Sequence, residues 1–337
     1  NYSIMKKILY FFFILFLFSC KEETIEPNIN FESPFVIKAD PNNPVNQKRF
    51  ELYEEYGVSV FFSDTVNMIY VNKNVYGDSV FKYEFLDLNW KFNSVSDFKY
   101  DFKYFSSQED RLHALANVEK YLQSSIPALR PLSMLLVDDF SFNGTATDII
   151  SYREGNNTVK SLNSYRTLVM SNLHKSYSED YWPNLVVNLA KPQIKAAVTR
   201  ESLKAKLLSF QTISQSTHYT QYWATLDLVG VPTTNFTSTI WNQFNPTNPS
   251  HWTDPRYVAF RQVFGAYGFI GVSNTIGFWY SPTLEADQNH YIDALLNYNQ
   301  TVFERNWEAS PLVMEKYAVM RDIIVNELNI PLDQLVK

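Results

Sequence analysis

The chain has 337 residues, with 35 acidic against 29 basic side chains and a single cysteine. An acidic balance without any basic run excludes a groove that tracks nucleic-acid phosphates. One cysteine excludes an internal disulfide, so packing alone must hold the fold. Aromatic residues make up 16% of the chain and are spread evenly, which reads as a ring-filled core and ring-coated strands. Exposed rings that stack on sugars are the alternative use of such a composition.

The N-terminal segment reads as a leader. Residues 1–4 read as translated upstream sequence, and Met5 then opens Lys6-Lys7 and eleven apolar residues from Ile8 to Phe18. That core is shorter than the roughly 20 residues a membrane-spanning helix needs, so 1–19 is expected to be a signal peptide. Leu17-Phe18-Ser19-Cys20 resembles the lipobox of bacterial lipoproteins, which makes Cys20 the expected lipidation site. Lys21-Glu22-Glu23 resembles the signal that sends Bacteroidetes-type lipoproteins to the outer face of the outer membrane. Residues 20–47, with Pro27, Pro34, Pro41 and Pro44, are expected to be an extended tether. With Lys6 and Lys7 removed, 27 basic residues face 35 acidic ones, a net charge of about −8.

Residues 48–337 are expected to form one domain, an α/β part over 48–180 and a mainly helical part over 181–337. A short helix opens near Arg49 and is ended by Gly57. Val58, Val60 and Phe62, then Met68–Val71, then Val80–Trp90 read as strands of one small sheet. Ser106-x-x-Glu109 predicts a capping box before a helix through Leu112, Leu115, Val118 and Leu122. The apolar run Leu132–Val137, ended by Asp138-Asp139, predicts a buried strand, and another is expected at Arg166–Met170. Thr199 is read as the cap of a helix through Leu207, and a further helix is predicted over Leu284–Phe303. Ser310-Pro311 starts the last helix, with Val313, Tyr317, Met320, Ile324 and Leu328 on one stripe. Gly230–Arg256 reads as a loop insertion.

Several of these segments, in this order, resemble a family of lipoproteins described as zinc-binding metallopeptidases, often encoded beside outer-membrane nutrient-uptake proteins. They are Tyr53-Glu54-Glu55-Tyr56-Gly57-Val58, Leu132–Asp138, Gly268-Phe269-Ile270, Asn289-His290-Tyr291-Ile292-Asp293 and Ile330-Pro331-Leu332-Asp333. The resemblance implies an α+β fold on a zincin-like metallopeptidase scaffold. It also implies a place in a nutrient-uptake assembly, with a glycan or peptide ligand or an outer-membrane transporter as partner.

The motif that would carry the chemistry is absent. A zincin needs two histidines four apart on one helical face, with a glutamate between them to activate the bound water. The helix that would carry them falls between residues 183 and 208, holds no histidine, and is expected to be interrupted at Pro192. No other pair among His113, His174, His218, His251 and His290 has a ligand spacing. His290 and Asp293, three apart, are the remaining metal candidates, and such a pair is ordinarily a solvated surface contact. No Gly-x-Ser-x-Gly elbow or phosphate-binding loop occurs, and Asp138-Asp139 is the most suggestive acidic pair. The expectation is therefore a surface lipoprotein that binds without zinc or catalysis. The alternative is an active hydrolase, a peptidase or glycosidase, using another site.

Overall fold

Asn43 and Gly57 bound the first helix, α1 (Pro44–Tyr56). The Asn43 side chain accepts from the backbone N–H groups of Val45 and Asn46, proline takes the first turn, and Gly57 closes the end at φ 71°. The computed structural model describes residues 33–86, 88, 90–91, 94–95, 99–143, 149–164, 166–222, 248–272 and 280–335. The leader, Cys20, Lys21, Glu22, Glu23 and residues 230–247 lie outside the described residues. Because α1 begins at Pro44 and buries Val45, the fold reaches into the stretch expected to be tether.

The chain is α+β. Its main sheet has five strands in the order β1-β5-β9-β8-β7, where β1 is Ser59–Phe61, β5 Ser133–Val137, β7 Ile149–Glu154, β8 Asn157–Asn163 and β9 Thr167–Ser171. Strands β1, β5 and β9 are parallel, while β8 is antiparallel to both β9 and β7. Every residue of β5 and β9 is buried, as an apolar run in a sheet covered on both faces should be. Their polar starts are satisfied mutually, since the hydroxyls of Ser133 and Thr167 lie 2.8 Å apart. Strand β1 ends the sheet, and Arg49 of α1 donates from Nε to the Val60 carbonyl.

Among the described residues three two-stranded pairs stand outside this sheet, one of them the short pair Trp90–Lys91 with Ser94–Val95. Strands β2 (Thr65–Lys73) and β3 (Ser79–Phe85) pair only with each other, contrary to the expectation of one small sheet holding them with Val58–Phe62. Strand β4 (Lys99–Lys103) pairs with β6 (Asp139–Asn143), which continues from β5 after Asp138. Helix α2 (Gln108–Ser124) starts one residue later than the expected capping box. Ser107, not Ser106, accepts from Asp110 N and donates to the Asp110 carboxylate.

The rear half is helical, as expected. Helix α3 (Tyr181–Val198) runs unbroken through Pro192, which corrects the expected interruption. Proline costs one hydrogen bond to the carbonyl of Asn188, but the buried stripe Leu185, Leu189, Ile194 and Val198 spans the site and holds both halves in register. Thr199 ends α3, its hydroxyl donating to the Ala196 carbonyl, and does not start the next helix. That helix, α4, is Lys204–Ile213. Within the end of the stretch read as a loop, Pro249–Thr253 forms a short helix, and helix α5 (Pro255–Ala266) starts at the last two residues of that stretch. The helix expected over Leu284–Phe303 is two, α6 (Leu284–Asn297) and α7 (Gln300–Trp307), because Asn299 turns to cap the second. Helix α8 (Pro311–Asp322) and the π-helical turn after it (Ile323–Glu327) carry the expected stripe, with Val313, Tyr317, Met320 and Ile324 buried and Leu328 half-buried. Among the described residues no helix is long and apolar enough to cross a membrane.

Candidate functional site

Helix α3 is the segment on which the resemblance would place two histidines four apart. At that spacing it carries Lys191 and Lys195, one turn apart on one face. Both ammonium groups meet one carboxylate oxygen of Asp293 on α6, at 3.4 and 3.1 Å. All three side chains are part-exposed. His290, one turn earlier on α6, is held at a pKa of about 4, chiefly by burial, with Lys195 and Lys316 adding to the shift and Asp293 opposing it. Its Nδ1 is buried without a hydrogen-bond partner. The ring fits because residue 271 is glycine, for a Cβ there would come within 2.5 Å of it.

These residues do not fit a catalytic zinc. The metal wants three neutral or anionic protein ligands, and this face offers His290 and Asp293, with two ammonium groups already on the carboxylate. A divalent cation beside them would meet like charge at close range. Among the described residues no group of three His, Cys, Asp or Glu side chains is placed to hold a metal. A cleft of about 380 Å³ opens along α3 and α6, lined by Asp180, Asn184, Asn188 and Asn297 with Val187 and Leu296.

A second charged site was not legible as such. Lys316 of α8 is fully buried and ion-paired with the equally buried Asp287 of α6. Lys316 also donates to Ser214 Oγ at 2.7 Å and lies 3.2 Å from the Tyr219 hydroxyl, which donates to Asp287 Oδ2. The rings of Phe210, Phe269, Tyr219 and Tyr291 surround the ammonium, with centroids 4.4 to 5.4 Å away. Burial pushes the Asp287 carboxyl up to about 6 against the pull of Lys316, and burial likewise lowers the Lys316 ammonium. The sequence did hold a signal. Lys316 falls at the third position after Val313 on an otherwise apolar stripe, where a lysine needs a partner.

The acidic pair at the end of β5 is divided. Asp138 is ion-paired with Lys103 and lies 3.6 Å from His174 Nε2, at the adjoining carboxyl end of parallel strand β9. Asp139 turns instead to Lys160 at 2.7 Å. Two carboxylates that each face a lysine on a different strand do not share a substrate in the manner of a glycosidase pair. The other histidines are dispersed: His218 bonds the Ser214 carbonyl, His251 stacks on Tyr257, and His113 is exposed on α2. Comparison with family models, with curated proteins and with solved structures returned no match.

Proposed function

We propose that the chain is a lipid-anchored outer-membrane protein whose metallopeptidase-like domain binds rather than cleaves. Its role is that of an accessory subunit in nutrient uptake at the cell surface. The observation that carries the non-catalytic reading is the Lys191–Asp293–Lys195 arrangement. On the helix where a zincin would set two imidazoles, two cations neutralise the acid of the facing helix. No group there can lower the pKa of a metal-bound water. The polar cleft along α3 and α6 offers amide side chains to a glycan or peptide, and a partner transporter would be met at the surface.

The test is metal content and turnover on the purified mature protein. Zinc well below one equivalent and no chelator-sensitive peptidase activity are expected. One equivalent of tightly held zinc, lost together with hydrolysis in His290→Ala, would overturn the reading and restore the enzyme. The anchor is tested separately, by labelling with radioactive palmitate, which Cys20→Ala should abolish.

A further inference from the structure

The β2–β3 hairpin presents an apolar face to its surroundings. Its register pairs Met68 with Tyr83 and Tyr70 with Phe81, so these four share one face with Phe85. Each is between 36% and 59% exposed. The rings form a continuous row, Tyr70–Phe81–Tyr83–Phe85, with successive centroids 5.8, 6.4 and 6.2 Å apart. The opposite face carries Asn67, Asn72, Lys82 and Glu84 beside Ile69 and Val80. Such a face, in a two-stranded ribbon that pairs with no third strand among the described residues, calls for an occupant.

The chemistry of the row discriminates among occupants. A sugar chain needs rings presented as a flat platform with polar groups at their rims. Here successive rings are inclined by 72°, 47° and 29°, and Met68 lies among them. The lipid interface asks for what is present: tyrosines with an apolar body and a polar tip, phenylalanine and methionine beside them, and a polar face turned to water. Lys73 and Lys82 balance Asp78 and Glu84, so the hairpin is neutral on an acidic chain and is not repelled by an anionic surface. Its outer backbone edges have no ladder partner among the described residues, which keeps it at headgroup depth and out of the hydrocarbon core.

We infer that the β2–β3 hairpin is a membrane-contact element, seating Met68, Tyr70, Phe81, Tyr83 and Phe85 in the interfacial layer of the bilayer that anchors Cys20. The inference rests on the lipoprotein reading for its geometry. Seventeen residue steps separate Cys20 from Ile37, a reach of at most about 60 Å. An anchored chain therefore keeps the hairpin at high effective concentration near lipid, where a weak affinity suffices.

The experiment uses the mature chain made as Cys20→Ser, which carries no acyl group, and vesicles of phosphatidylethanolamine and phosphatidylglycerol. The protein should cosediment with the vesicles. The triple variant Phe81→Ser, Tyr83→Ser, Phe85→Ser should partition at least about tenfold less at an unchanged melting temperature. A second measurement does not depend on that variant folding. An environment-sensitive dye on Tyr83→Cys should shift to the blue with vesicles, while the same dye on Lys82→Cys, on the opposite face, should not. Absence of cosedimentation, equal partition of the triple variant, or equal response at 82 and 83 would overturn the proposal. So would loss, in the triple variant, of binding to a soluble glycan or of self-association. Palmitate labelling of Cys20 reports on the anchor alone, so failure of the anchor and failure of the hairpin are read apart.

Discussion

Helix α6 presents two aspartates to lysines, six residues apart, in opposite surroundings. Asp287 meets Lys316 where both side chains are fully buried, while Asp293 meets Lys191 and Lys195 at a part-exposed face. The chemistry is the same and the consequence is not. At the outer site water screens the charges and solvates whichever partner is left alone, so each pair contributes at most about 1 kcal/mol. At the inner site neither charge has water to return to, and the pair stands only because Ser214, Tyr219 and four rings take the place of solvent. A lysine–carboxylate contact is thus a surface ornament or an obligate unit according to its burial.

The largest expected effect breaks the inner unit. Lys316→Ala should destabilise the protein by about 3 to 5 kcal/mol, because it leaves the Asp287 carboxylate buried and unpaired. Replacing both partners, Lys316→Met with Asp287→Leu, should recover most of that loss. Chemical denaturation measures both. A cost under about 1 kcal/mol for Lys316→Ala would mean that water reaches the site.

A middle effect concerns pH. The folded pKa of His290, about 4, lies below its ordinary 6.5, so the unfolded chain binds the proton first as pH falls. Its contribution is complete above pH 6.5 and is lost on descending to 4. With Asp293, Lys195 and Lys316 as its charged neighbours, that contribution is about 2 kcal/mol after allowance for partial exposure. Asp287 acts in the opposite sense: its pKa is raised to about 6, so its term is present below pH 3.8 and lost as pH rises through 6. The stability difference between wild type and His290→Asn should therefore shrink by about 2 kcal/mol from pH 7 to pH 4. A pH-independent difference would place water on the ring.

The smallest effect belongs to the outer face. Lys191→Ala or Lys195→Ala should each cost under about 1 kcal/mol, and less at high salt. Removing both leaves Asp293 alone beside His290, so the His290 pKa, followed by NMR titration, should rise. No rise would separate His290 from the Lys–Asp–Lys cluster.

What could be read in the sequence follows from which physics is local. Gly57 ends α1, the apolar runs become β5 and β9, and the α8 stripe packs inward, because positive φ, continuous burial and helical periodicity are properties of short segments. Ser106 and Ser107 are equivalent in composition, and only the backbone entering α2 decides which one caps it. Pro192 is a local signal that packing overrode. The β2 and β3 segments alternate as half-buried strands do, yet which face is covered depends on contacts far away in sequence. Lys191 and Lys195 of α3 became meaningful only when α6 brought Asp293 to them.

Arg49 has a further consequence. Strand β1 is the parallel end of the main sheet, and an end strand normally offers its outward carbonyls to any extended chain that drifts by. The guanidinium occupies the Val60 carbonyl and lies over the Phe61 ring. Strand addition there must first displace a half-buried cation from both, so copies of the chain are discouraged from growing a shared sheet and aggregating.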